Sequence, residues 1–222
     1  MKKLIRSNHF FIAILLVIAY QYLSGLVLSS DFALGLSNFG YYLSDMMLHF
    51  LVVLFAFIIM IWSGKWQQIN SRKFKGSYLF YSFLALLAFV VWNFVTFFLF
   101  PPTRNAISYQ HATPTFTGAT AFLMYFFYPV IAGPIFEDMI YRGLVMTALD
   151  KGKQWGLDVL GSAILFGILH ISGHGWVLTD FFVYMGGGLI FAVLFRVTKS
   201  IYWPIGLHIV YNGIGQIPML LY

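Results

Sequence analysis

Long apolar segments separated by short polar ones make up the chain. The apolar residues run for about 20 positions at a time, the length of helix that crosses a hydrocarbon core about 30 Å thick. The pattern predicts seven helices, at residues 8–28, 40–63, 77–100, 119–148, 156–173, 176–197 and 201–221. The predicted fold class is all-α, a polytopic membrane bundle of about seven transmembrane helices, because a helix satisfies its own backbone hydrogen bonds.

No polar stretch is long enough for a separate soluble domain, so residues 1–222 are predicted to form a single integral-membrane domain. The first apolar segment resembles a secretory signal. We interpret it as a retained span because it continues to about Leu28 without a convincing small-residue cleavage site.

Composition agrees with a membrane protein. Hydrophobic residues make up 60% of the 222 positions and charged residues 9%, against about 25% charged residues in soluble domains. The chain has no cysteine, which excludes disulfides, thiolate catalysis and thiolate metal sites. The net charge of +6 comes from basic residues in short loops, so we predict no nucleic-acid partner.

The basic loop residues predict an orientation. If seven spans are correct, all but one fall on the same side, which the positive-inside rule makes cytoplasmic. The N-terminus is then cytoplasmic and the C-terminus extracytoplasmic in a multi-pass protein of the cell membrane. The residues on the basic side are Lys2, Lys3, Arg6, Lys65, Arg72, Lys73, Lys75, Lys151, Lys153, Arg196 and Lys199, and Arg104 lies on the other side.

Three short polar patterns interrupt the apolar helices. They are Glu137-Asp138-x-x-x-Arg142, Phe166-x-x-x-His170 and His208-x-x-x-Asn212. Ionisable groups are costly inside a bilayer, so such residues mark functional sites or paired structural clusters. Three patterns on separate helices predict one active site assembled within the membrane.

The first pattern predicts an ion pair. Asp138 and Arg142 lie four positions apart on one helix face, whereas Glu137 is turned about 100° away and is left free. Gly133-Pro134 precedes them and can kink the helix near the carboxylate. The alternative interpretation is a structural ion-pair cluster that holds helices together.

The other two patterns each place two polar or aromatic groups one turn apart. A lone histidine such as His170 is more often a packing residue than a catalyst, and His208 with Asn212 could equally join helices through hydrogen bonds. Taken together, Glu137, His170, His208 and Asn212 bring a carboxylate, two imidazoles and an amide into one bundle, which favours chemistry.

Other polar residues within the spans are interpreted as packing or interface groups. Asp45 and His49 are expected to form a local pair, and His174 to lie in an interfacial turn. Gly186-Gly187-Gly188 is read as a helix-packing surface, with substrate passage along it as the alternative. The single polar residues without a matching pattern are Asn93, Asp158 and Asp180.

These three patterns resemble the motifs of the CPBP family, also called Abi proteins, which includes CAAX prenyl proteases and bacteriocin-processing enzymes. The resemblance covers about residues 119–215, which we take as the catalytic core. Tyr141-Arg142-Gly143 is similar to the end of the family's first motif. Asp138 stands where the family pattern has a second glutamate, and it keeps the charge with one methylene less.

The resemblance implies intramembrane peptide-bond hydrolysis, with Glu137 as general base on a water held by His170. His208 and Asn212 would stabilise the oxyanion, and Asp138, Arg142 and Phe166 would support them. We favour a mechanism without a metal or other cofactor. Zinc held by Glu137, His170 and His208 is the alternative, since the family has been described both as glutamic peptidases and as metalloproteases.

The expected partners are the lipid bilayer and a peptide or membrane-protein substrate. A bacteriocin leader or another secreted precursor fits the resemblance. The competing hypothesis is a non-proteolytic protein of the same family, acting in bacteriocin immunity or binding a membrane signalling protein. A small transporter is a third hypothesis, weakened by the lack of a visible inverted repeat.

Overall fold

The computed structural model describes residues 4–5, 8–28, 36–71, 74–104, 106–107, 118–172 and 175–220, with residues 217–220 described by backbone alone. Seven long helices follow one another in this part of the chain. They are α1 (His9–Leu28), α2 (Asn38–Ser63), α3 (Gly76–Leu99), α4 (Gly118–Ala148), α5 (Leu157–Ser172), α6 (Leu178–Thr198) and α7 (Tyr202–Leu220). Short helical turns lie at Trp66–Ile69 and Asp150–Trp155.

The prediction of a polytopic helical bundle is confirmed. Five of the helices, α1 to α4 and α6, are long and apolar enough to cross a membrane, and α5 is a shorter apolar helix. Across the described ranges, β-structure is limited to one isolated bridge between Asn70 and Ser200. The observed helices begin and end within a few residues of the predicted ones.

Local sequence explains where α2 begins and ends. The Ser37 side chain accepts a hydrogen bond from the Gly40 backbone N–H at 3.1 Å, which is a typical helix N-cap. Gly64 ends the helix with φ of 80°, a left-handed conformation that glycine adopts without steric cost.

The loops between α2 and α3, α4 and α5, and α6 and α7 lie together at one end of the bundle. Lys65 pairs with Asp150, and Arg196 donates to the Lys153 carbonyl. The Ile201 N–H donates to the Ile69 carbonyl at 2.9 Å. Six of the basic residues used to predict orientation lie in or beside these loops, namely Lys65, Lys75, Lys151, Lys153, Arg196 and Lys199. The other five, Lys2, Lys3, Arg6, Arg72 and Lys73, lie outside the described residues. Which side is cytoplasmic stays a prediction.

The core surrounds the second half of α4, which contacts α1 and α2 on one side and α5 and α6 on another. Ile140, Tyr141 and Leu144 are fully buried there. Most of α3 is exposed at the side of the bundle, as expected for a lipid-facing helix.

The three-glycine segment of α6 packs closely against two neighbouring helices. A methyl group added at Gly186 would overlap the Trp92 ring of α3, and one at Gly188 would lie 3.1 Å from Phe166 of α5. Small residues therefore allow α3 and α5 to approach α6, which supports the packing interpretation of these glycines.

Candidate active site

The polar residues of α4 lie where its helical geometry changes. Leu123–Ala132 and Met139–Val145 are π-helical, and Gly133–Asp138 between them is α-helical. The disturbance expected from Gly133-Pro134 therefore takes the form of widened helical turns on both sides of Glu137. Such π-helical turns are often found at functional sites.

Asn212 satisfies a backbone carbonyl that α4 leaves open. The Gly133 N–H donates five residues back, to the Tyr128 carbonyl. In the same register the Pro129 carbonyl would need an N–H from residue 134, which is a proline and has none. The Asn212 Nδ2 group of α7 donates to this carbonyl at 2.8 Å. One of the two amide hydrogens of Asn212 is therefore already used.

The predicted pairing of Asp138 with Arg142 is present. Arg142 Nε lies 3.2 Å from Asp138 Oδ1, and both side chains are fully buried. The contact is an ion pair rather than an aligned hydrogen bond. Arg142 also donates to the Gly188 carbonyl at 3.0 Å and stacks over the Phe166 ring at 4.6 Å. Arg142 thus ties α4 to α5 and α6.

Asp138 also contacts His208, a contact that the sequence did not predict. Its Oδ2 atom lies 3.1 Å from His208 Nδ1, so the two oxygens of one carboxylate face Arg142 and His208. The other ring nitrogen of His208, Nε2, lies 3.7 Å from Glu137 Oε2. Asp138 therefore orients the imidazole so that its far nitrogen faces Glu137.

His170 is held from two directions. Its Nδ1 lies 2.8 Å from the Phe166 carbonyl, which can only accept, so Nδ1 carries the proton and Nε2 is the accepting nitrogen of the neutral ring. The ring stacks on Tyr184 of α6 with centroids 4.2 Å apart. The Tyr184 hydroxyl lies 2.9 Å from Thr103 Oγ1. Sequence analysis missed Tyr184 because an aromatic residue in an apolar helix carries no polar signal.

Glu137 and His170 face a cavity of about 330 Å³. The Glu137 side chain is 17% exposed, whereas Asp138 beside it is fully buried, so Glu137 is the carboxylate of the two that reaches the cavity. His208 and Asn212 do not line this cavity. The other polar residues of its wall are Tyr20, Gln21, Ser24, Asp45, His49, Tyr128 and Ser172.

The first two helices contribute much of this wall, which sequence analysis did not anticipate. Asp45 and His49 do form the expected local pair, with His49 Nδ1 3.4 Å from Asp45 Oδ2. They were interpreted as packing residues, but they line the cavity that contains Glu137 and His170. The spacing of two residues along one helix could reveal the pair, but it could not show that the pair faces the cavity.

The remaining polar residues have structural contacts. Tyr211 donates to Asn93 Oδ1 at 3.0 Å, and Asp180 accepts from the Arg104 backbone N–H at 2.8 Å. Asp158 has a partner that its lone position did not predict, since Arg196 lies 3.4 Å away. His174 lies outside the described residues.

The zinc alternative requires three ligands around one point. Within the part of the chain that the structure describes, no group of three histidine or acidic side chains is arranged to hold a metal ion. Glu137 and His208 approach each other at 3.7 Å, and His170 does not complete a triad with them. Metal dependence is a question for direct measurement.

Comparisons with known proteins find similarity in the part of the chain that carries the three polar patterns. Residues 119–214 match the family model described as "Type II CAAX prenyl endopeptidase Rce1-like". A stretch of 82 residues is 34% identical to a Bacillus subtilis (strain 168) protein named "Putative membrane peptidase YdiL". The match covers 37% of this chain and 32% of that relative, about a third of its length. No solved structure matches the chain significantly.

The matched residues contain all three polar patterns and the helices that bring them together. Over residues 119–214, somewhat less than half of the chain, the sequence is similar to type II CAAX prenyl endopeptidases, in agreement with its resemblance to the CPBP family. The membrane-spanning helices make it a multi-pass membrane protein.

Proposed function

We propose that this protein is an intramembrane endopeptidase that hydrolyses a peptide bond in a membrane-associated peptide or protein precursor. The observation that carries the proposal is that Glu137 and His170, from two of the three motifs, face one polar cavity inside the helix bundle. The similarity of residues 119–214 to CAAX-type endopeptidases supports it.

Hydrolysis within a bilayer needs a place for water. A cavity of about 330 Å³ with polar walls can hold several water molecules, since one needs roughly 10–15 Å³ of such space and two or more polar partners. In this proposal His170 Nε2 accepts a hydrogen bond from the attacking water, and Glu137 removes the water's other proton. The bond from His170 to the Phe166 carbonyl and the Tyr184 stack support this role by fixing the ring.

The hydroxyl oxygen then bonds to the peptide carbonyl carbon, and negative charge develops on the carbonyl oxygen. The donors proposed for that oxygen are His208 Nε2 and the second amide hydrogen of Asn212. Their role rests on the resemblance to the CPBP motifs, since neither residue lines the cavity. With a proton on each ring nitrogen, His208 donates Nδ1–H to Asp138 and Nε2–H to the carbonyl oxygen. Glu137 passes its proton to the leaving nitrogen as the C–N bond breaks.

Asp138, Arg142 and Phe166 are proposed as positioning residues. Asp138 holds His208 at 3.1 Å, and Arg142 balances the charge of Asp138. Phe166 accepts the His170 hydrogen bond through its carbonyl and packs its ring under the Arg142 guanidinium. None of the three needs to touch the substrate for this role.

The test compares membrane-associated peptides by mass spectrometry in native cells carrying wild type, a deletion or Glu137→Gln at equal expression. Gln has nearly the same shape but cannot take a proton, so a peptide terminus made by the wild type should be absent in both mutants. A deletion phenotype that Glu137→Gln fully rescues, with unchanged peptide termini, would show that the protein acts by binding.

The metal question has its own measurement. Purified wild-type protein that cleaves a peptide is analysed for bound metals and assayed after treatment with a chelator. The glutamic mechanism predicts activity without stoichiometric metal. Zinc at one atom per chain, with activity lost on removal and restored on addition, would replace it with the zinc mechanism.

A further inference from the structure

Part of the polar wall of the cavity comes from helices without any of the three motifs. Asp45 and His49 of α2 line the cavity, and so does Ser24 of α1. These helices precede the segment that matches the family model, which begins at residue 119. The family match therefore says nothing about the role of these residues of α1 and α2.

Asp45 is held in place but keeps an open side. His49 Nδ1 lies 3.0 Å from the Asp45 backbone oxygen and 3.4 Å from Oδ2. The Tyr20 ring packs edge-on against the His49 ring at 4.7 Å, which fixes the imidazole. The Asp45 side chain is nonetheless 26% exposed in a wall of the cavity. A carboxylate in this position can accept a hydrogen bond from a group that enters the cavity.

The charged residues that line the cavity favour a cationic group. Its described lining includes the carboxylates of Asp45 and Glu137 but no lysine or arginine. The nearby guanidinium of Arg142 is paired with Asp138 and fully buried. A carboxylate in the wall of this cavity attracts a cation and repels another anion.

From this arrangement we propose that Asp45 is a specificity-determining residue that binds a lysine or arginine side chain of the substrate. The inference rests on the proposed peptidase function, since it places that side chain next to the bond attacked at Glu137. His49 is a positioning residue that orients the Asp45 carboxylate. Peptides with a neutral or acidic residue in the same place would be cleaved more slowly.

The experiment uses the full chain in phosphatidylcholine vesicles and a library of myristoylated peptides with eight randomised positions. Mass spectrometry identifies cleaved bonds and any preference for basic residues near them. Matched peptides then replace the preferred lysine by norleucine, or arginine by citrulline. We expect kcat/KM to favour the charged member about tenfold or more, the effect of one charged hydrogen bond.

Asp45→Asn removes the charge while keeping the size, and should bring the lysine-to-norleucine ratio close to one. The ratio is taken within each variant, so a change in folding or overall activity that affects both peptides equally cancels. Asp150→Asn is the matched control. It removes the same charge from a turn that contacts Lys65, at the end of α2 far from Asp45, and should leave the ratio unchanged. Ser24→Lys gives an independent variant, whose ammonium group competes for Asp45 and should also remove the preference.

The outcomes separate this inference from the proposed function. Cleavage that depends on Glu137 without a basic preference, or a preference unchanged by both Asp45→Asn and Ser24→Lys, overturns the inference alone. If the wild type cleaves no peptide, the proposed function fails, and fluorescence titration of the lysine and norleucine peptides tests the site separately. Equal affinities then overturn the inference, whereas tighter lysine binding that Asp45→Asn removes supports it.

Discussion

Asp138 and His208 lie 70 positions apart in sequence and 3.1 Å apart in the structure. Their contact joins α4 to α7 within a fully buried cluster that also contains Arg142. Because Arg142 and His208 share the carboxylate of Asp138, a change at Asp138 affects both the charge balance of the core and the orientation of His208.

Asp138→Asn should therefore reduce both stability and activity. Breaking a buried ion pair from one side leaves Arg142 uncompensated, which costs about 3–5 kcal/mol of unfolding free energy. Thermal unfolding in detergent and peptide cleavage measure the two effects. Asp138→Glu keeps the charge and should lose less of both. Wild-type stability in Asp138→Asn would contradict the importance of the ion pair.

Asn212→Ala should destabilise the protein by about 0.5–1.5 kcal/mol, since the partly buried Pro129 carbonyl loses its hydrogen-bond donor. Pro134→Ala restores a backbone N–H that can reach the same carbonyl. The cost of Asn212→Ala should then be smaller in the Pro134→Ala background, which a double-mutant cycle of unfolding free energies measures.

The same cycle separates the two roles of Asn212. If Asn212 also binds the oxyanion, the double variant should regain stability but not cleavage activity. An identical cost of Asn212→Ala in both backgrounds would show that the proline is not the reason for the contact.

Tyr184→Leu should lower kcat by on the order of ten- to a hundredfold with little change in KM, because the ring that stacks on His170 is lost. Tyr184→Phe keeps the stacking ring and removes the hydroxyl group that contacts Thr103, so it should stay near wild type. Steady-state kinetics on one peptide and a matched unfolding curve measure both variants. Equal losses in the two variants would assign the effect to the hydroxyl group instead.

Gly186→Ala should destabilise the bundle by about 1–3 kcal/mol, because its methyl group would overlap the Trp92 ring. Gly206→Ala is the matched control on α7, where an added methyl group meets nothing within 4 Å. The control should be neutral or slightly stabilising, since alanine favours a helix more than glycine does. Thermal unfolding in detergent compares the two, and similar melting temperatures would contradict the close packing of α3 and α6.

The predicted orientation can be tested with single cysteines, because the chain has none of its own. Gln154 lies in the turn between α4 and α5, and Trp176 precedes α6 at the other end of the bundle. A membrane-impermeant maleimide added to intact cells should label Trp176→Cys and leave Gln154→Cys unlabelled until the cells are opened. The opposite result would place the N-terminus outside.

Much of the fold was predictable because it depends on local patterns. Apolar runs of about 20 residues predict helices in a membrane whatever they pack against. The pairing of Asp138 with Arg142, and of Asp45 with His49, follows from the spacing of residues on a single helix. The helical turn at Pro134 was expected to be disturbed, although its π-helical form was not.

Contacts between helices were not predictable in the same way. The bond from Asn212 to Pro129, the Tyr184 stack on His170 and the contact of Asp138 with His208 each join two helices. They depend on how far each helix is rotated and shifted, which residue spacing along one helix does not encode.

The sequence by itself determined the helical membrane architecture, the three polar motifs and the residues proposed to carry out hydrolysis, because the cost of polar groups in lipid makes them conspicuous. Only the tertiary structure decided which of them share a cavity. Glu137 and His170 face it, together with Asp45 from a helix that carries none of the family motifs. The reason is physical: a cavity is the space left between packed helices, so its walls depend on their arrangement.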